Sequence, residues 1–168
     1  MKKIVVIFIL IFSIPVLSQT DNSAKTESID ALVNEVLTII SGEKGKVRNW
    51  NNFRNLFIPT AKFTILNHAI DSLSMDYEQV SLDEFIELMH DQYYKEGFTE
   101  YELGKVINEY NGVANVFQSF YAKDSENEEG KGITSYQLIY FKNRWWITDL
   151  LWTTNSNGLP IPEKYLKN

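Results

Sequence analysis

Helical patterning in the first half of the chain and strand patterning in the second predict an α+β fold, with three N-terminal helices packed on an antiparallel sheet. Three observations in the 168-residue sequence carry this reading. Ile29, Leu32, Val33, Val36, Leu37 and Ile40 recur at helical spacing. Ser81, with Glu84 three residues on, forms a capping box ahead of a second apolar stripe. Asn111-Gly112 stands between two alternating runs, 99–110 and 113–122, and tolerates the positive φ angles of a type I′ hairpin turn.

The first helix stops at Gly42. A second amphipathic segment carries Val47, Trp50, Phe53, Leu56 and Phe57 and has to end before Pro59, whose ring disfavours helix at the preceding residue. Residues 61–66 alternate as a short strand. The capping box opens a third helix with Leu82, Phe85, Ile86, Met89 and Tyr93 on one face, and Gly97 ends the helical region. From there the chain reads as a four-stranded meander, 99–110, 113–122, 133–141 and 144–153. Its connections are Asn111-Gly112, the charged loop DSENEEGKG at 124–132, and the tight turn Lys142-Asn143.

Length and composition set limits on function. The chain suits one ordinary domain, and 44% hydrophobic with 14% aromatic residues can build a core without metal or disulfide support. Cysteine is absent, which excludes disulfides, thiolate nucleophiles and thiolate metal sites. A formal charge of −6 and the lack of a Lys/Arg stripe argue against a nucleic-acid partner. Residues 1–18 read as a signal peptide: Lys2 and Lys3, an apolar run from Ile4, Pro15, then Val16-Leu17-Ser18 before a cleavage point near Gln19. The apolar run is shorter than the roughly 18 residues a membrane span needs. Cleavage would export the chain, periplasmic or secreted and free of the membrane, and deepen its charge from −6 to −8 by removing the two lysines. Residues 19–27 are expected as a flexible lead-in and 28–168 as a single domain.

The segment KNRWWITDLLW at 142–152 holds three tryptophans and one carboxylate. Counting outward from the turn pairs Trp145 with Tyr140, Ile147 with Leu138, and Asp149 with Tyr136; on the other face Trp146 meets Ile139, Thr148 meets Gln137 and Leu150 meets Ser135. Both faces carry large apolar groups, so both are expected to be covered. The helices cover one. A second subunit packed sheet to sheet, or the C-terminal LPIPEKYL segment, covers the other.

The stretches GFTEYELGKVINEYNGVANVFQSFYAKD, GKGITSYQLIYFKNRWWITDLLW and PIP, with WNNFRNLFIPTAKFTIL upstream, resemble the nuclear transport factor 2-like superfamily and its SnoaL-like polyketide cyclase branch. The resemblance implies a strongly bent sheet wrapped around helices as a cone, a pocket at the open end, and frequent dimers. It identifies a fold that hosts enzymes and binding modules alike. Gly104, inside a strand, suits a bulge in such a sheet.

Asp149 and Tyr136 are the candidate acid/base pair, since a carboxylate among Trp145, Ile147 and Leu151 would have its pKa raised; a purely structural role for Asp149 is the alternative. Asn108, Asn115, Phe117, Ser119 and His90 are candidate pocket-lining residues, or else hydrogen-bonded and packing fillers. The superfamily's enzymes generally show a His/Asp pairing in the cavity, whereas no histidine here falls on the long strands. His68 and His90 lack a third ligand, so no metal site is expected, and no cofactor motif is present. The expectation is an exported, homodimeric small-ligand-binding or protein-interaction module. The alternative is a small acid/base isomerase, dehydratase or cyclase acting on a compact organic substrate.

Overall fold

Helix α1 (Ile29–Ile40) lies across the hollow of a seven-stranded sheet in the computed structural model, which describes residues 25–68 and 75–166. Ser28 caps the helix by accepting from the Ala31 N–H at 3.1 Å, and the apolar stripe read from the sequence is its buried face. The segment expected as a signal peptide lies outside the described residues. The expected lead-in is fixed at its end: Thr26 is 2% exposed and its carbonyl accepts from the Trp145 N–H at 2.9 Å.

After a short strand β1 (Gly42–Glu43), the second helix is one turn only, α2 (Trp50–Arg54). Val47, placed by periodicity on its apolar stripe, lies outside it and is 92% exposed. Phe57 begins β2 (Phe57–His68), which is longer than the 61–66 expected, and β3 (Met75–Ser81) pairs with it. Polar residues dominate β3, so its sequence carried no strand pattern. The capping box forms as read: Ser81 and Glu84 satisfy each other's amides at the start of α3 (Leu82–Leu88). A separate turn, α4 (Gln92–Lys95), leads into β4.

The meander is β4 (Gly97–Tyr110), β5 (Val113–Asp124), β6 (Glu129–Phe141) and β7 (Arg144–Thr154). Asn111 and Gly112 have φ of 47° and 83°, and Lys142 and Asn143 of 52° and 60°, the left-handed values that two-residue hairpins need. The loop expected at 124–132 shrinks to 125–128, because Asp124 accepts from the Glu126 and Glu128 amides and closes it tightly. Strand order is β1-β4-β5-β6-β7-β2-β3, open at both edges. The sheet is mixed rather than wholly antiparallel: β2 joins β7 in parallel, and every other pairing is antiparallel.

Two bulges decide which side chains enter the hollow. The β4–β5 register shifts between Glu102 and Gly104, which turns Glu102, Glu100 and Phe98 inward. The β6–β7 register shifts at Thr148, so Leu150, not Asp149, stands beside Tyr136. A single extra residue reverses the facing of everything beyond it. The sequence register therefore holds from Phe141/Arg144 to Leu138/Ile147 and fails after it.

The inner face packs on an aromatic cluster. Phe63 stacks on Phe85 at 4.5 Å, and Phe57 lies 4.9 Å from both Phe53 and Phe63. Such pairs add about 0.5–1.5 kcal/mol each beyond area burial. Gly132 sits opposite Phe120, whose ring occupies the space a Cβ would need. Arg48 ties two helix ends together, donating to the Ile40 carbonyl at 2.7 Å and the Tyr94 carbonyl at 3.2 Å.

The outer face is covered in part. A 3-10 turn at Glu163–Tyr165 lays Tyr165 on Phe117, so the C-terminal segment is a cover within the chain. Trp146 is shielded by Arg144, 3.8 Å above its ring, and donates to the Phe141 carbonyl. Val113 and Phe141, more than half exposed, continue the outer face toward the hairpin ends.

Candidate functional site

The hollow of the cone keeps a cavity of about 80 Å³ between α1, the α2–α4 helices and the inner face of β4, β6 and β7. Its walls are apolar and aromatic, among them Leu37, Phe53, Phe85 and Trp152; its polar groups come from Glu100, Thr134 and the tyrosines Tyr94 and Tyr136. Tyr94, Phe98, Glu100 and Trp152 also line an outer space of about 310 Å³, bordered by Asp124, Glu128 and Glu129. These four residues form the neck between an inner chamber and a vestibule.

Glu100 is fixed through its backbone. Its N–H donates to Ser41 Oγ, and the Ser41 hydroxyl donates back to its carbonyl, both at 2.8 Å. Ser41 follows α1 directly, so the helix end sets the height of β4. The Glu100 side chain points into the chamber, and burial alone pushes its pKa up to about 7. That value allows the carboxyl to hold or release a proton near neutrality.

Tyr136 is 1% exposed and donates its hydroxyl hydrogen to Gln118 Oε1 at 3.1 Å. Burial first, then the charges of Glu100 and Glu102, push the phenol well above its ordinary pKa, so it stays protonated. Gln118 Nε2 donates to Glu102 Oε2 at 2.5 Å, and Glu102 pairs with Lys105 at 2.7 Å. Lys105 also reaches Asp30 on α1 at 2.6 Å. A polar chain thus runs from the chamber floor along the inner face of the sheet to the helix.

Asp149, the sequence's first candidate, is on the outer face, exposed, opposite Gln137 and beside Lys62 of β2. The Thr148 bulge separates it from Tyr136, so the expected pair does not form. Asn108, Asn115, Phe117 and Ser119 do not line the cavity either. Residues 114, 116, 118 and 120 of β5 are its inward set, and the odd-numbered ones face out. Asn115 donates to Ser135 Oγ and the Tyr136 carbonyl, with the exposed Asn108 opposite it. Ser119 donates to the Tyr165 carbonyl at 2.5 Å under the C-terminal turn. His90 is exposed after α3, 3.5 Å from Glu87 and edge-on to Trp50. His68 ends β2 and contributes its carbonyl to Ser156. Among the described residues no cluster of His, Asp or Glu is arranged to hold a metal ion, and no helix is long and apolar enough to cross a membrane.

Sequence reasoning missed Glu100, Glu102 and Gln118. Their signal was present in the alternation Phe98, Glu100, Glu102, but a strand carboxylate ordinarily faces water, and the bulge that turns these residues inward has no marker except Gly104.

Comparison with solved structures gives the class of fold. The chain resembles a cystatin-like protein of unknown function from Nostoc punctiforme, with a TM-score of 0.56 at 11% identity over 75% of this chain and 87% of that one. It resembles a nuclear transport factor 2-like protein of unknown function from Pseudomonas putida, with a TM-score of 0.57 at 9% identity over 86% and 93%. A hexachlorocyclohexane dehydrochlorinase from Novosphingobium barchaimii aligns with a TM-score of 0.54 at 10% identity over 74% and 82%. No family model and no curated protein matches the sequence. The chain has the nuclear transport factor 2-like cone fold.

Proposed function

We propose that this protein binds a compact organic ligand whose polar end enters the chamber of the cone to meet Glu100 and whose body lies in the vestibule. The observation that carries the reading is a carboxylate held near pKa 7 in an aromatic chamber that opens on a larger vestibule. An apolar pocket with a few convergent polar groups and a perturbed titratable residue is the usual form of a small-molecule site. The test is methyl and indole NMR with a library of small aromatic compounds. Binding is expected to shift Leu37, Leu150 and Trp152, and to disappear in Leu150→Trp, which fills the chamber. Compounds that shift none of these, or that bind the filled variant equally, would end the proposal.

A second reading, an isomerase, dehydratase or cyclase, draws on the same Glu100. A group that titrates near neutrality suits proton transfer, and Tyr136 stands on the neighbouring wall. Glu100→Gln would abolish such turnover, while Asp149→Asn would leave it intact. The proposal includes export, supported by Lys2, Lys3 and the apolar run behind them; the exported chain is expected to begin near Gln19, as N-terminal sequencing would read.

A further inference from the structure

We infer that the ligand is an organic cation, an ammonium group on a small aromatic or apolar body, seated with its charge against Glu100. The inference rests on the chamber being a ligand site, as proposed above. It follows from the direction in which each polar group is already committed.

The Tyr136 hydrogen is spent on Gln118, and Gln118 cannot turn its amide round because Nε2 is held by the Glu102 carboxylate. Glu102 is in turn held by Lys105. The network therefore leaves the Tyr136 oxygen with acceptor capacity only. Glu100, when ionised, is acceptor only. A guest that satisfies both has to bring donors.

Charge points the same way. Among the described residues no Lys, Arg or His lines the chamber. Lys105 is committed to Asp30 and Glu102, and Arg48 behind the wall donates to the Ile40 and Tyr94 carbonyls, with its Nη2 buried and without a hydrogen-bond partner. In the vestibule Asp124, Glu128 and Glu129 face a single cation, Lys123, which lies 3.7 Å from Glu129. The acidic vestibule disfavours entry of an anion. A neutral guest leaves Glu100 protonated up to about pH 7, whereas a cation stabilises the ionised carboxylate and gains its advantage above that pH.

The neck supplies the remaining contact. Tyr94 and Phe98 meet edge to face at 5.4 Å, and Phe85 and Trp152 do so at 6.0 Å. Aromatic faces around a carboxylate attract ammonium groups through their quadrupoles, and do so best where water is excluded. The chamber takes the ammonium head; the body extends past the neck into the vestibule.

The test uses three probes of one shape, benzylamine, benzyl alcohol and benzoate, titrated by NMR and calorimetry into the full mature chain. The titratable and charged groups around Glu100 are Tyr94 and Tyr136, with Arg48 and Glu102 beside them, and the vestibule residues Lys123, Asp124, Glu128 and Glu129; Glu100 has its pKa raised to about 7. At about pH 8 benzylamine is expected to bind at least about tenfold more tightly than benzyl alcohol, with benzoate weakest. Lowering the pH to about 5.5 protonates Glu100 and reduces that preference about tenfold. Glu100→Gln loses the preference at both pH values. The pH series on the unmodified protein gives the same reading should that variant not fold. Equal binding of amine and alcohol, or a preference that ignores pH, would overturn the cation inference and leave the ligand site standing. Failure of all three probes to shift Leu150 or Trp152 would overturn the site itself.

Discussion

Tyr136 on β6 and Gln118 on β5 are joined across the floor of the cone by a 3.1 Å hydrogen bond, and this bond fixes how the chamber looks to a guest. Removing the hydroxyl by Tyr136→Phe leaves Gln118 Oε1 unsatisfied in a buried place. The expected cost is about 1–3 kcal/mol in urea unfolding, with ligand affinity reduced as well. A variant as stable as the parent would mean that this bond does not organise the floor.

Glu100 should make stability depend on pH in the opposite sense to a salt-bridged carboxylate. Its folded pKa is about 7, raised by burial from the ordinary 4.5. Between those values the unfolded chain has already released the proton and the folded chain has not. Stability contributed by the group is thus full below about pH 4.5, falls as pH rises, and is lost above 7. Glu100→Gln should be about 3 kcal/mol more stable than the parent at pH 8, with the difference vanishing near pH 4.5. Parallel denaturation curves at the two pH values measure it.

The Thr148 bulge sets the facing of the end of β7. Deleting Thr148 removes the extra residue and leaves a regular ladder, with Ile147, Asp149 and Leu150 opposite the partners they already have. Cooperative unfolding is expected to persist, with Asp149 still outward and Leu150 still inward. Asp149→Asn alters an exposed group and should stay within about 0.5 kcal/mol of the parent. An Asp149→Asn variant that lost ligand binding would restore Asp149 to the site.

The outer face leads to a prediction about assembly. Val113 and Phe141 lie beyond the reach of the C-terminal turn and remain open. A dimer through this part of the sheet is expected at tens of micromolar, and Val113→Glu should dissociate it. Sedimentation of the unmodified chain as a monomer at that concentration would refute it.

Much of the architecture was legible because its signals are local. Ser81/Glu84, Asn111-Gly112 and Lys142-Asn143 specify their own geometry, and the α1 stripe specifies its buried face. β3 and the full length of β2 were not legible, since each depends on a partner rather than on its own alternation. The site was lost for one physical reason, the pair of bulges. In β4 the bulge brings Glu100 and Glu102 in; in β7 the bulge sends Asp149 out. A register counted from the turns inverts both, so the inward carboxylate was sought on the wrong strand.

The parallel pairing of β2 with β7 has a consequence for the newborn chain. The strand that carries Phe57 and Phe63 is synthesised well before its neighbour β7, with four further strands and two helices between them. Until then β2 offers an apolar edge with nothing to close it, and long-range closure of this kind is slow. Residues 57–66 are therefore the stretch most exposed to aggregation during translation, and the place where a holding chaperone would do most good.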